Sequence, residues 1–269
     1  MDVPDGDEVE IIVVDNNSND DTPTVAKDFA GTSGLNVRYL FEPKQGVSHA
    51  VNLGLAEATG EIVAITADDC IVDKAWVTSI LKEFRSDPSL WLVGGRVDLY
   101  DEADAPISIR PFAERRSCDT FEDVVGFIAG NNVAFRRDLF SKIGGYDVRM
   151  GPGAAIPAAE DLDYLYRIWK AGFKILYAPE ILLYHHHGRQ DVKVLEALSG
   201  GYIVGRGAFY MKHILKGDKY VLKRAYWEIR NSIKTILASL STGKIRRSEI
   251  RLPYLILLGA LKLALPLRS

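Results

Sequence analysis

Ile62-Val63-Ala64-Ile65-Thr66-Ala67-Asp68-Asp69-Cys70 is the stretch on which the fold turns. An apolar run closed by a small polar turn reads as a buried strand, and this one delivers two adjacent carboxylates at its carboxyl end. Upstream, Glu10 to Val14 (EIIVV) is a second β-branched run, ending at Asp15 and followed by the polar turn Asn16-Asn17-Ser18-Asn19-Asp20. Thr22 to Phe29 predicts a helix, with Thr22 as N-cap and Pro23 at the first helical position. Val37 to Phe41 predicts a strand, and Gly46 to Ala58 an amphipathic helix that Gly60 stops. Strand, helix, strand, helix, strand within about sixty residues predicts a parallel α/β sheet with right-handed crossovers. Ligands of such sheets bind outside the carboxyl ends of the strands, where both Asp15 and Asp68-Asp69 fall.

Downstream, Trp76 to Phe84 predicts another helix and Trp91 to Leu99 another strand. Asn132 to Phe135 reads as a strand, Arg137 to Ile143 and Ala159 to Lys170 as helices, and Lys174 to Tyr177 as a strand. Residues 101–127 have no clean period. Beyond Gln190 only helical patterns remain: Val192 to Leu215, Tyr220 to Ser239 and Leu252 to Leu265, broken at Gly217-Asp218 and Thr242-Gly243. The expected organisation is an α/β part over residues 1–190 and a helical extension over 191–269.

Composition narrows the function classes. With 269 residues, 47% hydrophobic and 26% charged, the chain can bury a full core. A net charge of −3 gives no general footprint for nucleic acid. Two cysteines, Cys70 and Cys118, are too few for a disulfide framework or a structural zinc site. They fit a reducing, cytoplasmic setting, and Met1 leads into an acidic stretch rather than a secretory signal.

Four constellations carry chemistry. Adjacent carboxylates such as Asp68-Asp69 repel one another unless a cation or several donors hold them, and a hard divalent ion with oxygen ligands is the natural resident. A solvated helix N-cap is the structural alternative. In Glu160-Asp161-Leu162-Asp163, helical spacing puts Glu160 and Asp163 on one face and Asp161 on another, so one of them can face a cleft. Acidic residues favoured by the helix dipole are the bland reading. Gly126 to Asn132 (GFIAGNN) suits close backbone approach to a polar ligand, or simply a tight loop. Tyr184-His185-His186-His187-Gly188-Arg189 matches no structural zinc spacing, yet one of its histidines is a candidate for a metal or phosphate.

In this order and at these separations, the pieces resemble the inverting family 2 glycosyltransferases of GT-A fold over roughly residues 8–190. The resemblance rests on Ile11 to Thr22, Gln45 to Gly54, Thr66 to Cys70 with Trp76, Gly130 to Asn132 through Arg136, and Gly144 to Asp147. It closes on Glu160 to Asp163 through Arg167, Gly172, and Tyr177-Ala178-Pro179 before His185. It implies a Rossmann-like, mostly parallel sheet flanked by helices, and transfer of a sugar from a nucleotide donor, usually a UDP-sugar. It implies that Asp15 contacts the nucleobase with support from Asn17 and Asp20. Asp68 would lie near the ribose and donor sugar, with Asn131 and Glu160 also at the donor. Asp69, with His185, would hold Mg²⁺ or Mn²⁺ on the diphosphate, and Asp161 would be the general base. A saccharide or lipid-linked acceptor is the implied partner.

Two departures from the family pattern stand out. Members usually begin with a further strand and a Pro-Thr/Ser-Tyr-Asn-like loop, whereas nine residues precede Glu10, so the expected fold lacks the usual first strand. Ala67 stands where many relatives carry another acidic residue. A nucleotide-sugar or polysaccharide-binding module of the same fold without turnover is the competing reading. A nucleotidyltransferase would need a Gly-rich, Lys/Arg-bearing phosphate loop after its first strand, and none is visible.

The tail is basic and amphipathic: Lys212, Lys216, Lys219, Lys223, Arg224, Lys244, Arg246, Arg247 and Arg251 interleave with Tyr202, Phe209, Trp227, Ile229 and Ile233. It reads as a helical cap on the catalytic part. The functional alternative is peripheral docking on the inner face of the plasma membrane, with Leu252 to Leu267 at the interface.

Overall fold

The structure, a computed structural model, describes residues 2–241 and 247–265. The expected Thr242-Gly243 turn, Lys244, Arg246 and Leu267 lie outside the described residues. The chain divides into two compact units.

The first unit comprises residues 1–45, 49–146 and 161–191. Strand β1 (Glu10–Asp15), helix α1 (Thr22–Thr32) and strand β2 (Asn36–Phe41) form a parallel β-α-β unit, with Asp15 paired to Phe41 at its carboxyl end. Pro23 sits in the first turn of α1 as predicted, but the N-cap is Asp21 rather than Thr22. The Asp21 carbonyl accepts the first helical bond, from the Val25 N–H at 3.0 Å, which places the cap one residue upstream, while Asp20 accepts from the Thr22 N–H at 3.0 Å. Helix α2 (Val47–Glu57) leads to β3 (Ile62–Ile65), followed by β4 (Cys70–Val72), α3 (Trp76–Ser86) and β5 (Leu90–Leu99). Then come β6 (Arg116–Ser117), α4 (Phe121–Phe127), β7 (Val133–Arg136), α5 (Asp138–Ile143), α6 (Glu160–Lys170) and β8 (Lys174–His185).

A six-stranded sheet runs β3-β7-β5-β8-β4, with β6 paired to β8. It is mixed. The parallel expectation holds for β1–β2 and for the longest pairing, β5–β8, while β3–β7, β5–β7, β4–β8 and β6–β8 are antiparallel. Strands β3, β4, β6 and β7, which make the antiparallel pairs, are only two to four residues long. Helix α3 lays Trp76, Val77, Ile80 and Phe84 on Leu90, Val93, Ala134, Ala178 and Ile181 to make the core beneath this sheet.

Strand β8 does not stop at Tyr177. Gly95 pairs with Ala178 and Arg96 with Leu182, so Pro179, Glu180 and Ile181 form a bulge and the strand resumes beyond it. Proline has no amide hydrogen to donate, and a bulge is where a strand tolerates it. Asn132, fully buried, organises the place: its Nδ2 donates to the carbonyls of Arg96 and Ile181 at 2.9 Å each, and its Oδ1 accepts from Trp76 Nε1 at 2.9 Å.

The second unit holds residues 46–48, 147–160 and the helices α7 (Val192–Ile214), α8 (Lys219–Ser241) and α9 (Arg247–Ala264). Helices α7 and α9 meet backbone to backbone. A methyl on Gly207 would fall 2.0 Å from the Ile256 carbonyl, and one on Gly259 1.8 Å from that of Val204. Lys212 reaches Asp147 at 2.7 Å within this unit. Among the described residues, no helix is long and apolar enough to cross a membrane.

Candidate functional site

The carboxyl ends of β1, β3 and β8 carry the predicted residues. Asp15, buried at the end of β1, accepts from the Ser18 amide at 2.9 Å and the Tyr39 hydroxyl at 2.7 Å, contacts that hold its carboxyl below the usual range. The exposed Asn17 takes a left-handed conformation (φ 59°), which asparagine tolerates in a tight turn. Asp20 is exposed and turned to the first turn of α1.

After β3 the chain turns through Thr66 and Ala67. Asp68 is exposed, whereas Asp69 is half-buried and faces His185, with Oδ2 3.3 Å from Nε2. That contact is the main cause holding the Asp69 carboxyl below its ordinary range, and Arg189, 3.8 Å away, adds to it. Strand β4 pairs antiparallel with β8 so that Cys70 lies directly opposite His185. Opposed residues of an antiparallel pair project to the same face. One oxygen of Asp69, the Cys70 sulfur and one ring nitrogen of His185 consequently lie within 4.8 Å of one another.

The three histidines part company. His185 points inward and is 5% exposed; His186 is exposed and stacks against Tyr100 at 4.6 Å. His187 is locked: its Nδ1 accepts from the Arg189 amide at 2.9 Å, which leaves Nε2–H to donate to the Ala105 carbonyl at 3.0 Å. Asp104, also buried, accepts from the Gly188 amide and from Gln190 Nε2. This clamp fixes the backbone of Arg189 beside Asp69. Nothing in the local sequence of the histidine run says that His187 and Asp104 will anchor Arg189.

Asp161 joins the same group through the loop between α4 and β7. A methyl on Gly130 would fall 2.8 Å from both Cβ and Oδ2 of Asp161, so only glycine leaves the loop backbone against this carboxylate. The next residue, Asn131, donates from Nδ2 to Cys70 Sγ at 3.4 Å, and its Oδ1 has no hydrogen-bond partner among the described residues. Burial pushes the Asp161 carboxyl up, against the opposing pull of the Leu162 amide at 2.7 Å and the charge of Arg110. Asp163 faces away from this group, fully buried and paired with Arg167 at 2.9 Å. Glu160 belongs to the second unit, where its side chain lies against Gly151.

Asp69 and His185 are an oxygen and nitrogen pair suited to a divalent ion such as Mn²⁺ or Mg²⁺. The other ring nitrogen of His185, Nδ1, is buried without a hydrogen-bond partner among the described residues. A buried polar atom left in that state marks a place where a ligand or water is expected. The residues present fit the ion that the resemblance implies.

Comparison with known proteins agrees with this reading of the fold. The chain is 28% identical over 201 residues to the pre-mycofactocin glycosyltransferase of Mycobacterium tuberculosis, covering 71% of this chain and 41% of that protein. It is 26% identical over 183 residues to the glucosyl-dolichyl phosphate glucuronosyltransferase of Haloferax volcanii, covering 65% and 58%. The chain thus spans about half the length of these curated relatives. Among solved structures, the mannosyltransferase PcManGT from Pyrobaculum calidifontis, in complex with GDP-Man and Mn²⁺, superposes with a TM-score of 0.58 at 19% identity, covering 95% of this chain and 77% of that one. GalNAc-T7 with UDP, GalNAc and Mn²⁺ gives 0.51 at 18% identity, covering 76% and 44%. At these identities the likeness shows the fold, which is GT-A. The Glycosyl transferase family 2 description matches residues 3–144, more than half of the sequence, and the chain belongs to that family.

Proposed function

We propose that this chain transfers a sugar from a nucleoside-diphosphate donor, a UDP-sugar first among them, to a hydroxyl of a saccharide or lipid-linked acceptor, with inversion. The observation that carries the reading is the pair Gly130 and Asn131: adjacent residues of one loop, one against the Asp161 carboxylate and the other on the Asp69-Cys70-His185 group. A proton acceptor and a cluster able to meet diphosphate charge are thereby held in one place.

The chemistry follows from need. A sugar hydroxyl is a weak nucleophile, and Asp161 would take its proton as the acceptor oxygen bonds to C1 and the bond from C1 to the diphosphate oxygen breaks. A single displacement inverts C1 and needs no second carboxylate as nucleophile. Arg189 would meet charge developing on the leaving diphosphate. A Mg²⁺ or Mn²⁺ ion bound by Asp69 and His185 would supply Lewis-acid stabilisation of the same charge. Asp15, Asn17 and Asp20 would receive the nucleobase, Asp68 the ribose, and Asn131 the remaining donor contacts.

A panel of UDP- and GDP-sugars with Mn²⁺ tests the proposal. Transfer or donor hydrolysis by the wild type, lost in Asp161→Asn, supports it; donor binding without turnover in either protein would instead make the chain a binding module. Asp69→Asn is expected to weaken Mn²⁺-dependent donor binding by about 10–100-fold in calorimetry while leaving binding in EDTA unchanged.

Helix α8 is the part suited to a membrane-borne acceptor. Leu222, Tyr226, Ile229, Ile233, Leu237 and Leu240 recur at helical spacing and are all exposed. On the neighbouring stripe stand Lys219, Lys223, Arg230 and Lys234. Its one acidic residue, Glu228, is taken up by Arg206 and the Tyr210 hydroxyl. Apolar and cationic stripes side by side suit an anionic bilayer surface. At about 1 kcal/mol per cation, replacing Lys223, Arg230 and Lys234 together by Gln should lower partitioning to anionic vesicles on the order of 100-fold. Flotation with phosphatidylglycerol vesicles measures this, and turnover on a soluble acceptor should not change.

A further inference from the structure

We propose that Cys70 is a third, soft donor to the cation held by Asp69 and His185. It would tip the centre towards Mn²⁺ and thiophilic ions such as Cd²⁺ and away from Mg²⁺. The inference rests on the metal reading above and deepens it.

Three observations carry it. The β4–β8 register sets Cys70 directly opposite His185, so both side chains leave the sheet on one face. Their ligand atoms, with an Asp69 oxygen, already lie within 4.8 Å of one another. The surroundings of the sulfur are also not those of a purely structural cysteine. Although Cys70 touches the apolar cluster of Val97, Ala129 and Leu183, its sulfur lies 3.7 Å from Asp69 Oδ1 and accepts from Asn131 Nδ2 at 3.4 Å. His185, 5% exposed, adds a buried Nδ1 with no hydrogen-bond partner among the described residues. Cys118 offers the contrast: it is buried, and its sulfur lies 3.9 Å from the Arg116 carbonyl.

The chemistry gives the preference a direction. Mg²⁺ takes oxygen ligands and keeps its waters, so a sulfur does little for it. Mn²⁺, although the weakest binder of the first-row series, accepts nitrogen and sulfur more readily than Mg²⁺, and softer ions such as Cd²⁺ gain more from them. On binding, the sulfur–cation bond forms and the thiol proton leaves to solvent, so no oxidant or further reactant is required.

Cadmium titration of the purified chain reads the sulfur directly. The wild type should develop the ultraviolet thiolate-to-Cd²⁺ charge-transfer absorption; Cys118→Ser should keep it and Cys70→Ser should lose it. Competition between Mn²⁺ and Mg²⁺, followed by the electron paramagnetic resonance of free Mn²⁺, should show the Mn²⁺ preference falling at least about tenfold in Cys70→Ser. Loss of an outer-shell partner alone typically costs ~10–100-fold in affinity. Cys70→Asp keeps a donor but hardens it, and should raise Mg²⁺ affinity relative to Mn²⁺ even if the serine variant folds poorly. Wild type without the absorption, or Cys70→Ser with absorption and ion preference unchanged, overturns the proposal. Asp161→Asn should retain the absorption, so a chain that binds Cd²⁺ through sulfur but transfers no sugar refutes the transferase reading and leaves this one standing.

Discussion

Asp161→Asn is expected to lower kcat by about 10²–10⁴-fold, the usual contribution of a positioned general base, with donor affinity nearly unchanged. Asparagine keeps the shape against Gly130 but cannot accept a proton. Burial raises the Asp161 carboxyl, so protonation should shut the wild type down on the acid side at a pH above the ordinary carboxylate value of about 3.9. The sign for stability runs the other way. A carboxyl raised on folding contributes stability below its unfolded pKa, and that contribution is lost as pH rises through the folded value. Wherever Asp161 is ionised its burial is a cost, and there the asparagine variant should melt no lower than wild type. Steady-state kinetics across pH together with thermal melts check both halves. A variant that lost activity by unfolding would fail the second.

The second large effect concerns Gly95, in the middle of β5. A methyl there would fall 2.0 Å from the Ile181 carbonyl and 2.5 Å from Asn132 Nδ2. Neither can swing aside, because each is bonded to the other and Asn132 also holds Trp76 and Arg96. Gly95→Ala should destabilise by about 3 kcal/mol or more, at the upper end for overpacked cores. A fall of Tm by roughly 10 °C follows for a protein of this size. Gly126→Ala is the matched control: it lies in α4 with nothing within 4 Å of the added methyl, and should stabilise by about 0.5–1 kcal/mol. Equal thermal shifts for the two variants would refute the packing account.

Much of this was legible in the sequence where hydrophobic period and turn chemistry agree. EIIVV before Asp15, and IVAI before Thr66-Ala67-Asp68-Asp69, placed carboxylates at strand ends, and the amphipathic Trp76 helix sits where its pattern puts it. What stayed hidden was short or non-local. Helix α4 is seven residues, too brief for a period, and is held by a Thr120–Asp123 capping box. Strand β4 is three residues whose identity comes wholly from its partner β8. The strand read as Lys174 to Tyr177 continues to His185, because the bulge that interrupts it is defined by the neighbouring strand and not by its own residues. The grouping of Asp161 with Cys70 depends on one loop meeting two distant segments, a contact that no spacing rule encodes.

The bulge at Pro179–Ile181 has a consequence for how this chain can vary in length. Side chains alternate along a strand, so the three inserted residues set the parity of everything after them, including which side His185 takes. Inserting one residue there would hand the histidine to the opposite surface and leave Tyr184 facing Cys70, with every residue of the site still present in the sequence. A single-residue insertion between Ala178 and Leu182 should therefore take His185 out of the site without altering any of its residues.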